Sequence, residues 1–191
     1  MRVIAGIMKG RKLLLPRGVT LRPTADKVKE ALFNILSADI SAARFLDLYA
    51  GSGSIGIEAM SRGASRAVFV EKDKKHLLLI RKNLSVFSGN LTPLVHTAVF
   101  YGTAQNFIMT NKESFDLAYM DPPYEDNEID SILQTLGNSD TIRPQGIVVI
   151  EHFHKREFPA FFGGGRPGLC GLSFLKRFRY GGTALSFYVK K

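Results

Sequence analysis

Along the chain, short apolar runs alternate with stretches in which apolar residues return every three or four positions. The runs lie at 45–49, 67–70, 94–100, 115–120 and 146–150, and the longer stretches between them at 54–62, 73–86, 103–109 and 129–136. Runs of that length suit strands covered on both faces, and the intervening period suits crossover helices. The pattern therefore predicts a parallel sheet with helices on both sides. After a Gly-rich loop at 163–171, two strand-like segments at 172–179 and 183–190 meet at Gly181-Gly182, a hairpin signal. The expected architecture is a doubly wound α/β sheet with an antiparallel edge strand.

Ahead of this alternation, Val3-Ile4-Ala5 and Lys12-Leu13-Leu14-Leu15 flank a turn region containing Gly6 and Gly10, which predicts a β-hairpin over 2–15. Pro16-Arg17-Gly18 breaks it, and Pro23-Thr24 opens a helix. Thr24 reads as its N-cap, Asp26 suits the positive end of the helix dipole, and Val28, Ala31, Leu32, Ile35 and Leu36 form a core-facing stripe. The expected organisation is a small hairpin appendage over 1–20 and one main domain over 21–191.

Composition narrows the function. With 191 residues and 45% hydrophobic content the chain can bury one core. It lacks an apolar run long enough to span a bilayer and a signal-peptide start, so a cytoplasmic protein is expected. One cysteine, Cys170, supports neither an internal disulfide nor a Cys-rich zinc site, and the four histidines lack metal-ligand spacing; no metal is expected. The net charge of +9 is unevenly spread: residues 1–30 and 155–191 together carry +13, and the centre carries −4. Basic ends around an acidic middle suit a polyanion gripped at the edges of a catalytic domain.

The first chemical motif, Asp47-Leu48-Tyr49-Ala50-Gly51-Ser52-Gly53-Ser54-Ile55-Gly56, ends a strand and opens a helix. Its glycines let backbone approach a ligand at the carboxyl end of a parallel sheet. Glu71 ends the next strand, where a carboxylate can accept hydrogen bonds from both hydroxyls of a ribose. The glycines alone fit either a dinucleotide or S-adenosylmethionine. Asp47 favours the second, because a carboxylate before the loop repels a pyrophosphate and can pair with the ammonium of a methionine moiety.

The second motif is Asp121-Pro122-Pro123-Tyr124, directly after the apolar run at 115–120. Two prolines make a stiff turn that can hold the Asp121 carboxylate and the Pro122 carbonyl at fixed spacing. Two such acceptors can bind the hydrogens of an aromatic amine, a poor nucleophile, and aim its nitrogen at an electrophilic methyl. Tyr124 offers a ring for an unstacked base. An exocyclic amine of guanine or of adenine would be served equally well. A silent nucleic-acid-binding module and a nicotinamide oxidoreductase are the readings from other classes.

These blocks, with Arg2-Val3-Ile4-Ala5-Gly6, Gly10-Arg11-Lys12-Leu13, Leu21-Arg22-Pro23-Thr24, Glu151-His152 and Tyr180-Gly181-Gly182-Thr183-Ala184, make the chain resemble the RsmD family of bacterial 16S ribosomal RNA guanine-N2 methyltransferases. The resemblance implies a class I, Rossmann-like S-adenosylmethionine-dependent fold with a seven-stranded sheet and an RNA-gripping N-terminal hairpin. It implies Asp47, Tyr49, Gly51, Gly53, Glu71, Thr103 and Ala104 at the cofactor, and Asp121, Pro122 and Tyr124 at the target amine. Lys9, Arg11, Lys12, Arg22 and Thr24 would meet 16S ribosomal RNA, within an assembling small subunit, and a monomer is favoured. One departure stands out: Thr103 precedes Ala104 where the family commonly has an acidic residue for the adenine amine, and a neutral hydroxyl bonds without charge assistance.

Overall fold

The computed structural model describes residues 1–16, 23–87, 95–123, 128–164 and 171–191, leaving aside the side chains of 23–25. Five parallel strands form its centre: β1 (Arg44–Asp47), β2 (Arg66–Glu71), β3 (His96–Tyr101), β4 (Phe115–Met120) and β5 (Ile142–Phe153). Their connections carry α2 (Ser54–Ser61), α3 (Lys74–Phe87), α4 (Ala104–Thr110) and α5 (Ile129–Gly137), after an opening α1 (Pro23–Ile35). Because α1 already includes Pro23, Thr24 falls inside the first turn and not at the predicted cap position. Three further strands, β6 (Phe161–Phe162), β7 (Leu172–Tyr180) and β8 (Thr183–Lys190), complete one sheet in the order β3-β2-β1-β4-β5-β8-β7-β6.

This sheet departs from the seven-stranded expectation. The short β6 is an eighth strand, and the antiparallel part is three strands deep. β8 lies inside the sheet between β5 and β7, with Leu185, Phe187 and Tyr188 fully buried, so the terminal hairpin is part of the core. A two-residue strand such as β6 leaves no periodic signal in the sequence, because its pairing depends on an edge made elsewhere.

Strand alternation decides which helix covers which face. Leu46, Val68 and Val70 pack with Phe107 and Ile108 of α4 and with Ile132, Leu133 and Leu136 of α5. On the opposite face Phe45, Leu117 and Val149 meet Val28, Leu32 and Phe33 of α1. Ala67 and Phe69, on that same face, meet Ile57 and Met60 of α2 and Ile80 of α3. Lys190 reaches from β8 to the carbonyls of Gly137 (2.6 Å) and Ser139 (2.9 Å), satisfying acceptors where α5 ends.

The N-terminal segment is less of a hairpin than predicted. It keeps one antiparallel bridge, Arg2 to Lys12, with Val3 N–H donating to the Arg11 carbonyl at 2.9 Å. Gly10 N–H and Leu13 N–H also pair across it, with the Val3 and Met1 carbonyls. Other donors turn to α2: Ile4 and Ala5 N–H reach the Glu58 carboxylate at 2.8 and 3.0 Å, and Met8 N–H reaches the Ser61 hydroxyl at 3.0 Å. Val3, Met8 and Leu13 are buried against Ile57 and Met60. Gly6, at φ +81, sits so close to α2 that a Cβ there would lie 1.7 Å from the Ser61 carbonyl oxygen. Only glycine permits this docking.

Candidate active site

The strand order reverses between β1 and β4, and a ligand crevice is expected at that point, outside the carboxyl ends of the strands. A cavity of about 630 Å³ opens there. Register explains why the two motifs share it. Asp47 pairs with Tyr119 across β1 and β4, so the glycine loop and Asp121 leave the sheet side by side. Met120 pairs with Ile150, which puts Glu151 beside Asp121 one step further on.

Of the residues singled out in the sequence, Tyr49, Gly51, Glu71, Thr103, Ala104, Asp121 and Pro122 line this cavity. Asp47 and Gly53 lie behind the wall. Asp47 is 1% exposed, its Oδ2 accepts the Gly56 N–H at 3.1 Å, and its Oδ1 is buried without a partner. Gly53 caps α2 in the left-handed region at φ 78. Lys9 and Lys12 are exposed and Arg11 is half-buried on the N-terminal segment. Arg22, the Thr24 side chain, Tyr124 and Cys170 fall outside the described residues.

Glu71 is held by backbone donors: Gly51 N–H at 2.8 Å on Oε2 and Asp73 N–H at 2.8 Å on Oε1. Gly51, at φ +55, has open space where a Cβ would stand, so the loop backbone itself forms the wall. Thr103 caps α4, its hydroxyl accepting the Asn106 N–H at 3.1 Å, and so has a structural task as well as a place at the cavity. Beside it the Gln105 carbonyl oxygen is buried without a partner, although its amide donates to Thr135 at 3.1 Å.

The carboxylates repel one another electrically. Burial, followed by the charge of Glu71, outweighs the Gly56 hydrogen bond and pushes Asp47 up to about 7. Asp121 presents surface to the cavity, yet poor solvation, then Glu151 and Asp47, raise its carboxyl well above the usual range. Burial also raises Glu151, opposed by the hydrogen bond that Tyr119 donates to its Oε2. Tyr119 keeps its proton: burial, then Glu151 and Asp121, lift its phenol well above 10. Among the described lining residues acids outnumber the basic Lys72 and His76, and a cationic ligand would favour the ionised carboxylates.

These features fit S-adenosylmethionine better than a dinucleotide. Glu71, Asp73, Asp121, Glu128 and Glu151 line the cavity, with Asp47 behind, and a pyrophosphate would face a wall richer in carboxylates than in cations. A sulfonium and an ammonium would instead be attracted. Glu71 suits the ribose hydroxyls, and Thr103, Ala104 and the unpartnered Gln105 oxygen offer acceptors and a backbone donor for an adenine edge.

Sequence reasoning missed Gln105, Tyr119 and the place of Glu151 at the cavity wall. A signal for Glu151 was present: Asp47, Glu71, Asp121 and Glu151 each stand at or just beyond an apolar run, where a parallel sheet presents its ligands.

The chain resembles known proteins along its whole length. Residues 1–189 match the family model described as Conserved hypothetical protein 95. The YlbH protein of Bacillus subtilis (strain 168) is 34% identical over 194 residues, covering 100% of both chains. Ribosomal RNA small subunit methyltransferase D of Haemophilus influenzae is 35% identical over 152 residues, covering 78% of this chain and 77% of its own. The solved structure of the yhhF protein of Escherichia coli superimposes with a TM-score of 0.81 at 29% identity, covering 100% of this chain and 98% of that one. A model matched nearly end to end, and a relative 34% identical over its full length, have one consequence: the chain belongs to the Conserved hypothetical protein 95 family, the RsmD methyltransferases.

Proposed function

We propose that this protein transfers a methyl group from S-adenosylmethionine to the exocyclic N2 amine of a guanine in 16S ribosomal RNA, in the cytoplasm and during assembly of the small subunit. One observation carries the reading most: the carboxylate of Asp121 and the rigid Pro122 stand at the switch-point cavity beside the glycine loop and Glu71. Bound there, S-adenosylmethionine would supply an electrophilic methyl on a sulfonium, the sulfur keeping the C–S electron pair as a neutral thioether.

The chain's own residues do the rest. Asp121 and the Pro122 carbonyl accept the two amine hydrogens, turning the nitrogen lone pair toward the methyl. The new N–C bond leaves a positive charge on nitrogen, which Asp121 stabilises before the extra proton departs to the carboxylate or to water. No strong base is required, because an alkylated aromatic ammonium is a strong acid. Tyr124 supplies a ring for the flipped base, and Glu71, Gly51, Thr103 and Ala104 hold the cofactor. Asp47 acts from behind the loop, orienting it through Gly56 and adding negative potential for the ammonium.

S-adenosylmethionine or its demethylated product at about 100 times its Kd should raise the melting temperature by roughly 5–10 °C, since such binding adds about 2.7 kcal/mol. NAD at the same concentration should leave it unchanged. A thermal shift with NAD and none with S-adenosylmethionine would overturn the cofactor assignment.

The N-terminal segment, together with Arg22 and Thr24, is the proposed RNA grip. Charge reversal of Lys9, Arg11 and Lys12 should weaken binding of 16S ribosomal RNA and flatten its salt dependence by about one logarithmic unit per lost phosphate contact. Cofactor affinity should change less than about twofold, since these residues lie away from the cavity lining. Binding measured across a salt series decides, and an unaltered slope would mean that the segment only stabilises α2.

A further inference from the structure

A second cavity, of about 290 Å³, begins where the first one ends. Pro122, Pro123 and Glu151 belong to both walls, and Ile129, His152, Phe153 and Arg156 complete the smaller one. Its character differs from that of the cofactor cleft. Two proline rings, an isoleucine and the Phe153 ring give it flat apolar surfaces, and its volume suits one planar base. The segment beyond Phe153 is tied down by Arg177, which donates to the carbonyls of His154 and Arg156.

Glu151 is the carboxylate shared by both cavities, and its position is fixed from two sides. Its backbone lies in β5, paired with Leu185 of β8. Its Oε2 accepts the hydroxyl proton of Tyr119, itself buried in the sheet, so the rotamer is set. Glu151 is close enough for its charge to help raise the Asp121 carboxyl, after poor solvation. A base seated against the prolines with its amine on Asp121 therefore brings the ring atom next to that amine toward Glu151.

We propose that Glu151 is the residue that selects guanine, by accepting the N1–H of the target base while Asp121 and Pro122 hold its N2 amine. This rests on the proposed methyl transfer to guanine N2. The chemistry of the bases supplies the discrimination. Guanine alone among the amine-bearing bases has a hydrogen on the ring nitrogen adjacent to its amine. Adenine N1 and cytosine N3 carry lone pairs there, and a carboxylate oxygen facing a lone pair has no hydrogen to bind. A site built to bond a particular N–H rejects an analogue without it far more strongly than a shape-selective pocket does, because its own polar group is left unpaired. The Tyr119 hydroxyl donates to Oε2 of Glu151, which leaves Oε1 to accept from the base. Glu151 thus decides between two amines that Asp121 by itself would treat alike.

The test pairs a protein change with a substrate change. Wild-type protein and S-adenosylmethionine are first given small ribosomal subunits lacking the modification, and the product nucleoside is identified and located. The same RNA is then prepared by ligation with 2-aminopurine at that nucleotide, which keeps the 2-amine and lacks the N1–H. Wild type should lose about 10-fold to 100-fold in single-turnover rate on the 2-aminopurine RNA, the worth of a hydrogen bond to a charged acceptor. Glu151→Ala should be slow on guanine and nearly indifferent to the replacement. Glu151→Gln should retain part of the discrimination, because its amide carbonyl still accepts. The missing O6 of 2-aminopurine affects every variant alike and cancels in the cycle. Glu151→Gln, which keeps an acceptor for the Tyr119 hydroxyl, should melt near wild type. Glu151→Ala should melt lower because that buried hydroxyl loses its partner, so rates are compared on folded, cofactor-saturated protein. Equal losses for wild type and both variants would overturn the selection by Glu151 while leaving methyl transfer to guanine standing. Absence of N2-methylguanosine from the wild-type product would overturn the underlying activity, and this inference with it.

Discussion

Asp121→Ala is expected to slow methyl transfer by about 100-fold to 1,000-fold while leaving the fold and cofactor affinity largely intact, as loss of one preorganised acceptor at a reacting centre does elsewhere. The reason lies in the neighbourhood of Asp121. It borders the cavity next to Pro122 and Glu151, just beyond the C-terminal end of β4, so its side chain faces the cavity and not the sheet's core. Asp121→Asn should be slowed less, because its amide oxygen still accepts one hydrogen. The pH profile carries an independent sign. Poor solvation at the cavity wall and the charges of Glu151 and Asp47 raise the Asp121 pKa, so the carboxyl gains a proton as pH falls through that raised value. A protonated acid offers a donor where the amine needs an acceptor, and the rate should fall with it. A pure turn role predicts the reverse pattern: Asp121→Ala would lower stability and yield, with turnover per folded molecule unchanged. Single-turnover rates on folded, cofactor-saturated variants separate the two, and near-wild-type rates would sink the proposed mechanism.

Glu58→Ala is expected to produce the largest loss of stability, on the order of 3–5 kcal/mol, the cost of removing one partner from a buried ion pair. Glu58 is 0% exposed and serves four groups. Its carboxylate accepts the N–H groups of Ile4 and Ala5 and the Arg62 Nε–H, and Lys29 Nζ lies 3.6 Å away. Lys29 is itself buried and donates to the Arg2 carbonyl at 2.8 Å. Burial lowers its pKa, against the pull of Glu58. Removing Glu58 leaves a buried ammonium and two backbone donors unmatched, and undocks the segment that carries Lys9, Arg11 and Lys12. The melting temperature should drop by roughly 6–20 °C at about 2–4 °C per kcal/mol. Adding Lys29→Met should recover part of the loss, because the stranded charge is then gone. Thermal denaturation of the single and double variants checks this. A loss below about 1 kcal/mol for Glu58→Ala would mean that the network contributes little.

In the sequence Glu58 is one more carboxylate in the helix after the glycine loop, and the tertiary structure makes it the anchor of the N-terminal segment. Nothing local distinguishes it: its partners lie 53 and 54 residues away in the chain, and only docking brings them together. The same limit explains the hairpin. Apolar Val3, Met8 and Leu13 were visible, but their packing partners Ile57 and Met60 on α2 were not, so a free β-hairpin was the local expectation.

What the sequence determined by itself was the alternation of strand and helix, and with it the positions of the ligand-binding turns. β4 and β8 fall at the predicted residues, and the ends of β1, β2 and β4 carry the acids that were singled out. That much is legible because burial on both faces demands continuous apolar runs, and parallel connections deliver the residue after each run to one edge of the sheet. Strand order and register were decided only in three dimensions. They set Asp121 beside the glycine loop and Glu151 beside Asp121, moved Asp47 behind the wall, and brought β8 into the core next to β5. The physical reason is that pairing between strands far apart in the chain is chosen by the packing of whole faces, a property that no local window of residues contains.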